Sequence, residues 1–148
     1  MATTKQITGQ TGELSVVKNC TCPKCKKESK TLRRLPANFK CADLICDFCG
    51  YLAQVKTMNV NDENIIPDLI LGSAWKPQEE RMQAGIYFPL FIVLLNNKKK
   101  AVYYLPADLQ VEKMFEKRKE LSPSAKRAGW QGFRYNIKDH KKRMTRLI

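Results

Sequence analysis

Two Cys-x-x-Cys pairs, Cys22-Pro-Lys-Cys25 and Cys46-Asp-Phe-Cys49-Gly, stand twenty residues apart and constrain this chain more than any other feature. Each pair presents two thiols from one tight turn, and four soft ligands at this spacing close a tetrahedral zinc site. Such a site fixes two turns against each other, so the segment between them must double back. "ANFKCADLI" leading into the second pair is apolar and β-favouring, and "YLAQVKTMNV" after it alternates. Together they predict a hairpin with the second pair near its tip. Four thiolates leave no position for water, so the expected role of the zinc is structural. Cys20 competes with Cys22 for the first turn, but Pro23 and Lys26 favour the 22/25 pair. Cys41 is expected as a small buried strand residue. All six cysteines lie between positions 20 and 49; in a reducing compartment that clustering argues for metal rather than disulfides.

The rest of the chain reads as mixed α and β. Residues 1–12 are polar and expected to fray, and residues 13–20 fit a helical turn or a strand equally well. "SAWKPQEERMQAG" combines a Ser N-cap, an early Pro and a terminal Gly, which predicts a helix near residues 75–84. Residues 86–95 and 101–105 predict two strands joined by the basic tip "NNKKK". Residues 138–148 form a basic tail with helical potential. No repeat or linker interrupts the 148 residues, so one domain spanning 1–148 is expected.

Composition narrows the partners. Lys and Arg total 27 against 14 acidic residues, a formal charge of +13, which favours a polyanion such as nucleic acid. The longest apolar run is ten residues, broken by Pro89, half of what a bilayer requires. The N-terminus lacks the apolar core of a secretory signal, so a cytoplasmic protein with no membrane partner is expected.

Side chains two apart on a strand share a face, so Gln54 and Lys56 project together while Val55 turns away. Asp43, on the preceding strand of the hairpin, can join them. Oxygen ligands that hold Mg²⁺ beside a lysine suit phosphodiester hydrolysis, the ion polarising the phosphate and the amine serving the attacking water. A zinc knuckle at the tip would fix the register of the two strands that carry the site.

These residues carry a resemblance. Asp43 followed by "QVK" resembles the core of PD-(D/E)xK nucleases, with Gln54 where those enzymes have an acid. More narrowly, "CPKC", "ADLICDFC", "QVK" and "SPSAKRAGWQG" follow the order of the catalytic domain of DpnI-type, Dam-replacing restriction endonucleases, over roughly residues 20–137. "AKRAGWQG" is the most specific of these motifs. The resemblance implies a restriction-endonuclease-like α/β core, a mixed central sheet flanked by helices with a zinc-knuckle insertion. It implies catalysis by Asp43, Gln54 and Lys56, and Mg²⁺ held by Asp43, Gln54 and the Val55 carbonyl. It also implies a substrate of adenine-methylated, GATC-like duplex DNA. Lys126, Arg127, Trp130 and Arg134 are the implied DNA contacts, Trp130 being the candidate for the methyl group. The basic clusters at Lys98, Lys99 and Lys100 and at Lys141, Lys142, Arg143 and Arg146 are expected as solvated charge.

Two departures accompany the resemblance. Gln54 offers a neutral oxygen where the family has Glu, and Glu13 and Glu63 are the acids available to supply the missing charge. The family adds a C-terminal winged-helix domain, in whose place this chain has only its basic tail; a homodimer on DNA or a separate specificity partner is the corresponding expectation. Three readings follow: a Mg²⁺-dependent endonuclease, a DNA-binding or defence-associated module with a weakened nuclease centre, and a zinc-ribbon RNA- or ribosome-binding protein. The third expects Asp43 and Lys56 to lie apart.

Overall fold

A computed structural model describes residues 3–39, 41–72, 76–118 and 132–148. The first element is not frayed. Helix α1 (Thr4–Asn19) begins at a capping box: the Thr3 hydroxyl accepts the Gln6 amide and the Gln6 side chain accepts the Thr3 amide. "TTKQ" carries that start signal, and it overrides the polar composition on which disorder was expected. Residues 13–19 continue the same helix.

Strands β1 (Leu32–Arg34), β2 (Leu44–Cys46) and β3 (Leu52–Asn59) follow. β2 and β3 form the expected hairpin, with Leu44 opposite Ala53 and Ile45 opposite Leu52. Gly50, at φ +80°, closes its tip, a conformation that suits glycine. After β4 (Leu69–Leu71), helix α2 (Lys76–Gln83) occupies most of the predicted span. β5 (Leu90–Asn96) and β6 (Lys99–Leu105) pair antiparallel around the basic tip. β7 (Phe115–Lys117) and β8 (Phe133–Asn136) come next. The tail forms a 3₁₀ turn at Lys138–Arg143 and then β9 (Thr145–Arg146). Its end is therefore a sheet edge.

The main sheet has the order β1-β2-β3-β5-β6-β9, with β3 and β5 parallel and every other neighbour antiparallel. A second, antiparallel sheet has the order β4-β8-β7. β5 divides the core between them. Its Phe91 and Val93 pack with Val16 of α1, Leu44 and Val55; its Leu90, Ile92 and Leu94 pack with Ile70, Phe133 and Tyr135 of the second sheet. Burial on both faces explains why the run was apolar without alternation. Helices were expected to flank the main sheet, but one face carries α1 and the other is covered largely by the small sheet. Among the described residues no helix is long and apolar enough to cross a membrane.

Gly12 sets how close α1 comes. A Cβ at that position would overlap the Thr57 side chain, so the helix lies tightly on β3 and holds its next residue, Glu13, beside the hairpin.

Candidate active site and metal centre

β2 stops pairing at Leu44, opposite Ala53, so among the described residues the β3 edge has no strand neighbour from Gln54 onward. Asp43 stands at that opening. Its Oδ2 accepts the Val55 amide at 2.8 Å, in place of the carbonyl a longer strand would supply. The N–H and C=O of one strand residue point to the same side, so the Val55 carbonyl faces the same open edge. Lys56 follows, half-buried. Burial raises the Asp43 pKa above its ordinary 3.8, opposed by the Val55 amide and the Lys56 charge. Burial lowers Lys56 below 10.5, opposed by Asp43. The structure thus places Asp43, Val55 and Lys56 along one edge, with carboxylate and ammonium interacting.

Glu13 approaches from α1. Its pKa is raised above 4.5, first by burial and then by the Asp43 carboxylate, while Arg34 works in the opposite direction. Arg34 Nε donates to Glu13 at 3.0 Å. Glu13, Arg34, Gln10 and Asp43 line one cleft, and Lys5, Thr8, Lys56 and Leu71 line a groove that continues from it past Gly9. The other acid considered, Glu63, sits elsewhere: it accepts Asn96 Nδ2 at 2.9 Å, and Asn96 ends the strand whose first residue, Leu90, pairs with Gln54. Of the two acids, Glu13 is the one beside Asp43.

Gln54 shares a face of β3 with Lys56, opposite to Val55, as the alternation requires, and is buried. Both ends of its amide are engaged. Nε2 donates to the Cys41 carbonyl at 2.7 Å, and Oε1 accepts Tyr135 Oη at 3.1 Å and Gln78 Nε2 at 3.2 Å. Burial raises the Tyr135 pKa and so keeps the phenol protonated, a donor. Coordination of a metal by Gln54 would have to exchange those two bonds. Cys41 is buried as expected, but at φ +67° it is a left-handed corner rather than a strand residue, and that corner turns its carbonyl onto Gln54. The sequence reading missed Tyr135 and Gln78. They lie 81 and 24 positions from residue 54, and no local pattern links them.

The four predicted thiols converge. Cys22, Cys25, Cys46 and Cys49 bring their sulfurs within 4.8 Å of one another, with Cys22 to Cys49 at 3.6 Å and Cys25 to Cys46 at 3.8 Å. Tetrahedral Zn–S bonds set sulfurs about 3.8 Å apart, so the cluster has the dimensions of a metal centre. Cys20 lies outside it, at the C-cap of α1. Thr31, another residue with no motif to announce it, places Oγ1 3.1 Å from Cys46 Sγ. Burial works against the Cys46 thiolate, but the Thr31 hydroxyl and the Cys49 and Phe48 amides outweigh it and hold the group down to about 6.

Of the expected DNA contacts, Lys126, Arg127 and Trp130 lie outside the described residues. Arg134 is exposed on β8 between the buried Phe133 and Tyr135. Its side chain leaves the small sheet on the face away from Gln54.

The model of the DpnI, Dam-replacing family matches residues 2–143. No curated protein matches the chain.

Proposed function

The chain belongs to the Dam-replacing family, and on that premise we propose that it is a restriction-type endodeoxyribonuclease. It hydrolyses phosphodiester bonds in adenine-methylated duplex DNA with Mg²⁺, from a PD-(D/E)xK core. The observation that carries the reading is the open β3 edge, where Asp43 accepts the Val55 amide beside Lys56. Asp43 and Lys56, near enough to interact electrostatically, speak against the RNA- or ribosome-binding reading, which needs them apart.

Ionised carboxylates and a backbone carbonyl are the hard oxygen donors that Mg²⁺ takes. Two desolvated carboxylates, of which Asp43 raises the pKa of Glu13, favour a cation between them, so the residues fit the ion. Asp43, Glu13 and the Val55 carbonyl would hold it; Gln54 joins them only by leaving Tyr135 and Gln78. Bound there, Mg²⁺ supplies charge stabilisation at the scissile phosphate. Lys56 then serves the attacking water. Burial lowers its pKa and the Asp43 charge opposes that shift, so proton exchange at Nζ is eased relative to a solvated lysine. The four thiols hold a structural Zn²⁺ that ties the β2–β3 tip to the 22/25 turn and keeps Asp43 opposite Val55. Lys126, Arg127, Trp130 and Arg134 contact the DNA, Trp130 at the methyl group, and a second copy or a specificity subunit completes the double-strand cut in the cytoplasm.

One observation favours a second reading. Because both Gln54 Oε1 hydrogen bonds are internal, a module that binds DNA without cutting it would preserve the same interior. Plasmid cleavage decides between the two. With Mg²⁺ or Mn²⁺, the parent should cut adenine-methylated plasmid and Asp43→Ala should not. Absence of cleavage by the parent under both metals, or equal cleavage by the variant, overturns the nuclease reading.

A further inference from the structure

We propose that the zinc lobe is a second DNA-contacting surface, with the knuckle lysines Lys24, Lys26 and Lys27 and the Phe48 ring seated on the backbone of the substrate duplex next to the cleft. The proposal rests on the nuclease reading for its substrate.

The lobe exposes what such a contact needs. Phe48, at the tip of the second knuckle, is 63% exposed, although an exposed Phe gains nothing from water. Lys27 Nζ lies over one face of its ring, 4.0 Å from the centroid, which holds an ammonium and an apolar surface at one point. Lys24, Lys26 and Lys27 are all exposed, and among the described residues none of them makes a salt bridge. The nearby Asp47 carboxylate is already paired, with Arg33 at 3.1 Å. Four thiolates on zinc carry a net double negative charge, which the lysines also offset. That bland role does not require an exposed ring among them.

Register places this cluster close to the reacting phosphate. Asp43 immediately precedes β2 and Cys46 ends it, three residues on, about 10 Å away if extended, within a duplex footprint centred on the cleft. Two other basic clusters of the described residues lie farther off. Leu90 pairs with Gln54, and the hairpin tip at Asn97 is seven residues beyond it, roughly 23 Å in the opposite direction. β9 is four strands from β2, about 19 Å, and its Arg146 already donates to Asn64 at 2.7 Å. Of these three exposed basic clusters, the knuckle is therefore the one that lies nearest the cleft.

The test is duplex binding by the full chain in Ca²⁺, over a series of salt concentrations, with zinc content and melting temperature recorded for each protein. A Lys24→Gln/Lys26→Gln/Lys27→Gln variant should keep its zinc and its melting temperature. It should bind about 10-fold or more weakly, with a log K against log[salt] slope shallower by about 2.7. Lys98→Gln/Lys99→Gln/Lys100→Gln should lose clearly less. Unchanged affinity and slope in the knuckle variant overturns the proposal, as do equal losses in the two variants or a loss seen with structured RNA but not with the duplex. Cleavage is scored separately in Mg²⁺. A parent that cuts while the knuckle variant binds normally sinks this proposal alone, and a parent that never cuts while the variant loses duplex binding sinks the nuclease reading alone.

Discussion

Asp43 Oδ2 lies 2.8 Å from the Val55 amide nitrogen, so a carboxylate holds the place of a strand neighbour where the β3 edge opens. Asparagine can keep that hydrogen bond through its side-chain oxygen while losing the charge. Asp43→Asn should therefore stay within about 1 kcal/mol of the parent in denaturant unfolding. Cleavage should fall by about 10²-fold or more. Loss of fold together with activity would make Asp43 a structural residue.

The two cleft carboxylates make stability depend on pH and on metal. Asp43 and Glu13 both have raised pKa values in the folded state. A raised carboxylate pKa means that the folded protein binds protons more readily than the unfolded chain, so their ionisation costs stability above the folded values. The cost is relieved as pH falls through those values toward the ordinary 3.8 and 4.5. Mg²⁺ or Ca²⁺ should offset it at neutral pH. Melting curves should show a metal-dependent rise in Tm for the parent that shrinks as the pH falls, and little rise for Asp43→Asn.

Helix propensity alone would make Gly12→Ala stabilising by about 1 kcal/mol. The contact with Thr57 reverses the sign, because the new methyl must displace either the helix or a β-branched side chain. A net loss of about 1–3 kcal/mol is expected. Cleavage should fall as well, since Glu13 moves with the helix.

Gln54 tests the internal network. Tyr135→Phe leaves Oε1 with the Gln78 bond alone and should cost about 1 kcal/mol. Gln54→Leu removes the amide that joins the Cys41 carbonyl, Tyr135 and Gln78 and should cost about 2–4 kcal/mol. In Gln54→Glu, Tyr135 and Gln78 can still donate, but an oxygen replaces the nitrogen that faces Cys41. Destabilisation combined with tighter Mg²⁺ activation is the expected outcome, read from unfolding curves and from the Mg²⁺ dependence of cleavage.

The thiol cluster predicts a further loss. Chelation of zinc, or Cys46→Ser, should unfold the β2–β3 tip and lower Tm. Thr31→Val should release zinc to a chelator faster than the parent, and Thr31→Ser should restore the rate, because the hydroxyl lies 3.1 Å from Cys46 Sγ.

What was legible in the sequence was local. Paired knuckles gave the hairpin, the alternation of "QVK" put Gln54 and Lys56 on one face, and the "NNKKK" tip gave β5 and β6. Helix α1 was hidden by its polar composition, although its capping box stands in "TTKQ". Long-range partners left no trace: Tyr135 meets Gln54 only because β8 packs under β3 in a separate sheet. The choice between Glu13 and Glu63 also needed the fold, since only the close approach of α1 at Gly12 brings one acid to Asp43. The tail read as solvated charge, yet Thr145 and Arg146 pair with Tyr104 and Tyr103, because the β6 edge needed a partner that composition does not announce.

The most direct test of the central claim is a crystal soaked in Mn²⁺ and measured at the manganese edge, where zinc and manganese are distinguished. An anomalous peak within coordination distance of the Asp43 carboxylate and the Val55 carbonyl is the predicted result. A crystal whose only metal sits among the four thiols, with no manganese at the β3 edge, would contradict it.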